Sequence, residues 1–200
     1  MTIPPEPIAT ARLDLVPLRV ADADEMCVML ADPALYVFIE GRPPTAADLR
    51  ERYRVQVGGR SADGREEWHN WIVRERSSGA AAGFVQATLA QVTVIDAADD
   101  RGDAGERAGR SAEIAWLIGV PWQGRGYATE AVRGLVAWLD GRDVRSIVAH
   151  VHDDHHASAA VAARAGLEPT DSFVDGERAW RMVIGANERG PSGPDSATPR

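Results

Sequence analysis

Residues 116–131, WLIGVPWQGRGYATEA, constrain the fold of this chain more than any other stretch. An apolar strand pattern runs into a turn of small residues, and a pattern with helical apolar spacing follows. The two glycines of the turn, Gly124 and Gly126, permit positive φ and the close approach of a ligand. The first turn of a helix leaves backbone N–H groups without partners, and such groups bind anions. The segment therefore predicts a strand–turn–helix unit that holds an anionic ligand.

Polar side chains around the turn extend this prediction. Arg125 adds a positive charge and Thr129 adds a hydroxyl group. Glycines at such a turn can also serve its geometry alone, and a bare Gly-x-Gly would favour that interpretation. The pattern is not a dinucleotide-binding fingerprint, because the third glycine and the acidic end of the following strand are missing.

Composition excludes several classes of function. The 200 residues contain 22 basic residues, all of them arginine, which excludes a lysine nucleophile or a phosphate-binding lysine. The formal net charge of −8 disfavours nucleic-acid binding and is compatible with a cationic substrate. Cys27 is the only cysteine, so a reducing compartment is expected. Residues 1–10 do not resemble a secretory signal and no apolar run is long enough for a membrane span, so we expect a cytoplasmic protein.

Apolar spacing predicts one α/β domain over residues 10–184 with a mixed central sheet of about seven strands. The element order is β-α-α-β-β-β-α-β-α-β-β. The predicted strands lie at residues 11–18, 68–76, 83–95, 111–120 and 146–151 and in a closing hairpin. The predicted helices lie at residues 22–30, 45–57, 127–139 and 157–165.

Helix starts and flexible segments complete this outline. Asp22 with Glu25, and Thr45 with Asp48, have the spacing of helix-capping pairs. Residues 1–9, 96–110 and 185–200 lack apolar periodicity. We expect them to form a flexible N-terminus, a flexible loop and a disordered tail, respectively.

Gln123, Gly126 and Ala128 form the pattern Gln-x-x-Gly-x-Ala, which resembles the acetyl-CoA pyrophosphate loop of the GNAT family of N-acetyltransferases. Residues 150–169 resemble the second motif of that family, and residues 10–26 resemble the opening of its RimJ/RimL-like branch, which acetylates protein N-termini and small amines. The resemblance covers about residues 10–184. It implies the GNAT fold, a mixed and mostly antiparallel sheet flanked by helices. It also implies transfer of an acetyl group from acetyl-CoA to a primary amine by direct attack, without a covalent enzyme intermediate.

The resemblance also implies which residues bind the acetyl donor. The pantetheine arm would pair with the end of the strand, and the diphosphate would lie on the turn and the first turn of the helix. The implied residues are Leu117, Ile118, Gly119, Gln123, Gly124, Arg125, Gly126, Tyr127, Ala128, Thr129 and, at the position of the family's asparagine, His155. The connection between Val120 and Gln123 is one residue shorter than in many relatives, so the contacts at the strand end could shift by one. Titration of His155 would make donor affinity depend on pH.

Two further residues are implied for proton transfer. Glu113 is the implied base, and an α-amine, with a pKa of about 7.7–8.0, is easier to deprotonate than a lysine side chain at about 10.4. The alternative interpretation is that Glu113 only solvates a strand end. Ser158 is the implied acid for the leaving thiolate, because Ala162 stands where many relatives have tyrosine. A helix-capping role for Ser158, and protonation by solvent, are the alternatives.

Four histidines lie in residues 150–156, but only His150 and His152 share a strand face and the spacing matches no metal motif, so no metal is predicted. The expected partners are acetyl-CoA and an amine, with neither nucleic acid nor membrane, and a homodimer through the C-terminal hairpin stays open. An acetyltransferase for antibiotics or other small amines, and an acyl-CoA sensor without catalysis, are the alternative functions.

Overall fold

The computed structural model describes residues 5–39, 41–95 and 106–184. The elements follow in the order β1 (Ile8–Ala9), β2 (Leu13–Pro17), α1 (Ala23–Met29), α2 (Ala46–Gln56), β3 (Glu66–Glu75), β4 (Ala81–Ile95), β5 (Glu106–Ile118), α3 (Tyr127–Asp140), β6 (Val144–His152), α4 (His156–Ala165), β7 (Glu168–Val174) and β8 (Glu177–Val183). The predicted α/β class and element order are confirmed, and β1 is added to the seven predicted strands. None of the described helices is both long and apolar enough to cross a membrane.

The strands form one sheet with the order β1-β2-β3-β4-β5-β6-β8-β7, so the predicted mixed and mostly antiparallel sheet is confirmed. The parallel pair β5–β6 runs from Arg110–Val144 to Glu113–Val148 and then ends. Beyond that point β5 pairs with β4 and β6 pairs with β8. We call the gap between residues 114–118 of β5 and 149–152 of β6 the sheet opening.

Both faces of the sheet are covered by helices. Alternate residues of a strand point to opposite faces, and on β3 the buried Trp71 and Ile72 join different apolar clusters. The cluster of Trp71 includes residues of α3 and α4, and that of Ile72 includes residues of α1 and α2. The sheet opening therefore connects two covered faces, which we call the α3–α4 face and the α1–α2 face.

The predicted capping pair of α2 is confirmed. Thr45 Oγ1 accepts from the Asp48 N–H at 3.1 Å, and Asp48 Oδ2 accepts from the Thr45 N–H at 3.0 Å. Two of the N–H groups at the start of the helix are satisfied in this way.

Asp22 is the N-cap residue of α1 as predicted, but the predicted capping pair with Glu25 is wrong, because the Asp22 side chain makes no cap hydrogen bond. Asp22 instead accepts from the Arg19 N–H at 2.8 Å and closes a 3-10 turn that precedes the helix. Glu25 accepts from Arg74 and from the Ala81 N–H, at 2.8 and 2.9 Å from its two oxygens. A charge-assisted contact to a distant strand is stronger than a local cap, and sequence spacing does not show it.

The chain enters the sheet earlier than its sequence indicates. Ile8 pairs with Leu15 in β1, although a flexible segment is predicted over residues 1–9. Ile8 packs against the core, and Trp71 Nε1 donates to the Glu6 carbonyl at 2.8 Å. These contacts order a segment that has no apolar pattern of its own.

The predicted flexible loop and tail fall largely outside the described residues. Strand β5 begins at Glu106, within the range 96–110 predicted to be a loop, because the long β4 pairs with it residue by residue. The rest of that loop and the predicted tail over residues 185–200 lie outside the described residues.

A titratable side chain lies in the core on the α3–α4 face. His69 is 1% exposed, and its ring centroid is 6.1 Å from that of Trp71 and 5.2 Å from that of Trp138. Burial lowers the pKa of His69 from 6.5 to about 4, although Glu67, 3.8 Å away, acts in the opposite direction. The folded protein therefore holds a neutral imidazole at neutral pH.

We expect His69 to make the fold sensitive to acid. The imidazole of the unfolded chain takes up a proton below pH 6.5, whereas that of the folded chain does so only near pH 4. The contribution of His69 to the free energy of unfolding is therefore fully present above pH 6.5 and is lost as the pH falls from 6.5 to 4. Between pH 7 and 4.5 the loss from this group should be about 2 kcal/mol. Urea unfolding of the wild type and of His69→Phe at both pH values isolates the contribution of His69 to the free energy of unfolding. The other acid-titrating groups are common to both proteins, so their contribution cancels. Equal losses in the two proteins would contradict the prediction.

Candidate functional site

A cavity of about 1190 Å³ lies where β5 ends, and we call it the main cavity. Its walls come from the end of β5, the turn after it, the first turns of α3 and α4, and the segment that precedes α2. They include Trp116, Leu117, Ile118, Gln123, Gly124, Gly126, Tyr127, Ala128, Thr129, His155, Ser158, Val37, Phe38 and Ile39. Ten of the thirteen predicted site residues are among them, and Glu113, Gly119 and Arg125 are not.

The turn before α3 has the geometry of an anion site. Gly124 and Gly126 have φ of +72° and +78°, in the left-handed region that glycine adopts without strain. Gly126 is the N-cap of α3 and brings no side chain to satisfy the helix N–H groups. The Glu130 N–H donates to the Gly126 carbonyl at 3.0 Å, which leaves the N–H groups of residues 127–129 without a helical partner. All three residues line the main cavity.

The strand end presents its backbone to the sheet opening at alternate residues. The Gly119 N–H donates to the Ala82 carbonyl at 2.9 Å, so Gly119 and Leu117 direct their backbone groups toward β4. Trp116 and Ile118 therefore direct theirs toward the opening. Gln123 Nε2 already donates to the Ile118 carbonyl at 2.8 Å and closes the turn. The backbone groups available for pairing are shifted by one from those predicted.

Arg125 does not line the cavity, although its charge is predicted to face the donor. Its guanidinium lies 3.6 Å from Glu75 Oε1, and the Tyr127 hydroxyl donates to the same oxygen at 2.6 Å. The hydrogen bond from Tyr127 is the main cause of a lowered pKa of Glu75, with Arg125 contributing. Glu75 therefore links the middle of the glycine turn and the first residue of α3 to the end of β3.

Three other arginines line the cavity, and none of them is among the predicted site residues. Arg12 pairs with Glu130 at 2.7 Å, Arg133 Nε donates to the Arg164 carbonyl at 2.8 Å, and all three arginines line the cavity. Arg133 follows Thr129 by four residues and so shares a face of α3 with it. That spacing is a signal that the sequence carries for Arg133, whereas Arg12 and Arg164 are brought here by the fold.

His155 and Ser158 line the cavity at the start of α4. The His155 ring stacks on Phe38 with centroids 4.5 Å apart, and burial lowers its pKa, so its neutral form is favoured. The helix begins at His156 with His155 as its N-cap. The capping alternative for Ser158 is therefore wrong, because the helix starts two residues before it.

Glu113 lies apart from the other predicted site residues. It forms the last parallel pair, with Val148, and its side chain is 62% exposed. Its Oε1 is 3.4 Å from His150 Nδ1. Glu113 shares the α1–α2 face with Leu117, four residues or about 13 Å further along the strand.

A second cavity, of about 460 Å³, adjoins the main one on the α1–α2 face, and we call it the acceptor cavity. The two cavities share Ile39 and Leu117 as lining residues. The walls of the acceptor cavity also include Tyr36, Arg42, Asp48, Arg52 and Phe84. The main cavity, which contains the glycine turn, and the acceptor cavity therefore adjoin each other at Ile39 and Leu117.

The histidines of residues 150–156 have partners other than a metal. His150 contacts Glu113, the His152 ring lies 5.6 Å from that of Phe38, and Asp153 accepts from Arg178 at 2.7 Å. Nowhere in the described ranges do three His, Cys, Asp or Glu side chains converge as metal ligands do.

A glycine turn at a helix start, an interrupted parallel strand pair and two adjoining cavities are the features that the motifs lead us to expect of an acetyltransferase fold. The family model for the acetyltransferase (GNAT) domain matches residues 12–168. The chain therefore belongs to the GNAT acetyltransferase family, and it is a transferase. None of the curated proteins compared with the chain matches it significantly.

Solved structures share this fold at low sequence identity. A GNAT-family acetyltransferase from Bacillus anthracis is 14% identical with a TM-score of 0.65, over 90% of this chain and 99% of that one. The ribosomal-protein α-N-acetyltransferase RimL, solved with coenzyme A, is 15% identical with a TM-score of 0.66, over 90% of this chain and 98% of that one. An aminoglycoside acetyltransferase, also solved with coenzyme A, is 20% identical with a TM-score of 0.62, over 86% of this chain and 94% of that one.

Proposed function

We propose that this enzyme transfers the acetyl group of acetyl-CoA to a primary amine, as members of the RimJ/RimL-like branch do. The observation that carries the proposal is that the main cavity, whose wall holds the N–H groups at the start of α3, and the acceptor cavity share Ile39 and Leu117 as lining residues. Two cavities that share lining residues let two substrates bind next to each other. Direct attack of one on the other needs this arrangement.

The residues of the main cavity and of the strand end beside it fit acetyl-CoA, which supplies an activated acetyl thioester. The unpaired N–H groups of residues 127–129 suit a diphosphate, and Arg133 and Arg164 add positive charge beside them, whereas the charge of Arg12 is balanced by Glu130. The backbone groups of Trp116 suit an arm that carries amides, because they face the opening and pair with no strand there.

His155 and Ser158 would act on the sulfur-bearing end of the donor. A neutral imidazole has one donor and one acceptor nitrogen, so His155 is able to hold an amide of the arm. The Ser158 hydroxyl lines the cavity and is not the N-cap of α4, which supports a role in donating a proton to the departing thiolate. These roles require both side chains at the cavity wall, where they lie.

We propose that Glu113 accepts the proton of the attacking amine through water. The carboxylate is largely exposed and stands on the face that carries the acceptor cavity, beside His150. Its distance along β5 from Leu117 is too long for direct contact with an amine at the junction of the two cavities. A short water chain meets that geometry, and an α-amine needs only a weak base.

We expect Glu113→Gln to slow turnover about 100-fold at pH 6.5 and by much less at pH 9. Below the pKa of an α-amine the substrate arrives protonated and needs the carboxylate, whereas above that pKa it arrives as the free base. The measurement is kcat against pH with one peptide acceptor. Glu168→Gln, on the exposed strand β7, is the matched control. A loss of the same size at every pH would assign Glu113 a structural role only.

Release of free thiol from acetyl-CoA in the presence of different amines tests the proposed function. RimL acts on a ribosomal protein's α-amine and the aminoglycoside enzyme on an antibiotic, as their names state, so the panel includes peptides, lysine-type amines and aminoglycosides. Turnover on any of these amines supports the proposal. Coenzyme A binding without turnover on any of them would favour an acyl-CoA sensor instead.

A further inference from the structure

The acceptor cavity carries positive charge in a strongly acidic protein. Arg42 and Arg52 both line it, together with one carboxylate, Asp48, among its described walls. The chain as a whole has a formal net charge of −8. With two positive side chains and one negative one, the charge of this cavity has the opposite sign to the net charge of the chain.

Neither arginine has a carboxylate partner within 4.0 Å in the part of the chain that the structure describes. The neighbouring arginines of α2 differ in this respect, since Arg50 pairs with Asp24 and Arg54 with Glu51. An arginine that lines a cavity without a carboxylate partner has its planar set of N–H donors available for a ligand.

Asp48 acts on the two arginines only at longer range and forms no ion pair with either of them. One of its oxygens accepts from the Thr45 N–H as part of the helix cap, and its amide donates to Thr45 Oγ1. These bonds are the main causes of its lowered pKa, and Arg42 and Arg52 contribute at longer range. Asp48 is thus committed to the start of α2, and both guanidinium groups remain available.

We propose that Arg42 and Arg52 bind an anionic group, a carboxylate or a phosphate, that the acceptor amine carries. The inference rests on the proposed function and names its substrate class. Because the acceptor cavity adjoins the main cavity at Ile39 and Leu117, an anion held by the arginines leaves the amine of the same molecule near that junction. Polycationic aminoglycosides are disfavoured by the same charges. An acidic peptide N-terminus and a small amino acid or amino phosphate share the required chemistry.

Matched acceptors test the proposal. The C-terminally amidated peptides Ser-Asp-Glu and Ser-Asn-Gln, a free amino acid and its amide, and phosphoethanolamine and ethanolamine differ within each pair only in the anionic group. We expect kcat/KM of the wild type to be at least about tenfold higher for the acidic member of one pair, through KM. The pair that shows the preference identifies the source of the anion. Equal values within all three pairs would overturn the proposal.

Variants assign the preference to the arginines. We expect Arg52→Gln to lose about tenfold in kcat/KM on the preferred acidic acceptor and less than twofold on its neutral partner. Arg42→Gln should act in the same direction, and Arg54→Gln, on the same helix but paired with Glu51, should change neither value. An acid preference that survives in the Arg42→Gln, Arg52→Gln double variant would overturn the proposal.

Calorimetry keeps the proposal testable if no acceptor turns over, an outcome that would count against the proposed function. Each acidic and neutral acceptor is titrated into the wild type and Arg52→Gln in the presence of coenzyme A. Tighter binding of the acidic member, lost in the variant, supports the anion site by itself. Equal binding of both members of every pair would overturn it.

Discussion

Replacing Gly83 with alanine is expected to lower the free energy of unfolding by about 3 kcal/mol, because strands β4 and β5 approach too closely at this point for a side chain. An added Cβ would lie 2.1 Å from the Leu117 carbonyl oxygen, 2.8 Å from Ile118 Cδ1 and 3.0 Å from Ile118 Cα. Two of these three atoms belong to the backbone, so the clash is relieved only if the strands separate. Coenzyme A affinity should fall as well, since Leu117 and Ile118 line the main cavity.

Urea unfolding and calorimetric titration with coenzyme A measure both effects. Gly141→Ala is the matched control. The backbone of Gly141 has φ of −75°, and the nearest atom to an added Cβ is the Trp138 carbonyl oxygen at 3.9 Å. That variant should keep the stability of the wild type. A Gly83→Ala protein within 1 kcal/mol of the wild type, on the scale of ordinary surface substitutions, would show that the strands are not held as described.

Thr129→Glu is expected to weaken coenzyme A binding about 30-fold relative to Thr129→Gln. The two side chains have the same length, and only glutamate places a negative charge beside the N–H groups where we propose that the diphosphate binds. Repulsion between such charges in a partly buried site is about 2 kcal/mol, which corresponds to this ratio. Isothermal titration of both variants with coenzyme A measures it.

Two further measurements separate repulsion from misfolding. Glutamate is favourable in the first turn of a helix, so Thr129→Glu should unfold at a temperature no lower than Thr129→Gln. The ratio of affinities should also shrink as salt is added, because salt screens the repulsion. Equal affinities at low salt would contradict the placement of the diphosphate on α3.

Most of the fold could be predicted from local patterns. Apolar spacing sets the period of each strand and helix, and Thr45 with Asp48 act within a single turn, so short sequence windows contain the necessary information. Strand β1 could not be predicted in this way. It has two residues, and it exists because Ile8 and the Glu6 carbonyl find partners far along the chain. The capping pair predicted for Asp22 and Glu25 fails for the same reason.

The candidate site likewise contains features that a local motif predicts and features that depend on contacts between distant segments. The glycine turn and the N–H groups of α3 follow from a local motif, and the structure has them where the motif predicts. Charges depend on tertiary neighbours, so Arg125 turned out to pair with Glu75, while Arg12 and Arg164 reach the cavity from distant elements. The separation of Glu113 from the cavity depends on where β5 and β6 part, which no single segment encodes. A homodimer through the C-terminal hairpin stays a prediction.

The parting of β5 from β6 leaves hydrogen-bonding groups of an interior strand without a neighbour. Unpaired strand edges are the templates on which other chains aggregate. An occupant of the sheet opening would shield that edge, and it would stabilise the folded chain by an amount that rises with the logarithm of its concentration above Kd. Starvation for the donor would therefore shorten the lifetime of the enzyme as well as slow it, so that the abundance of the protein would follow the supply of its own substrate.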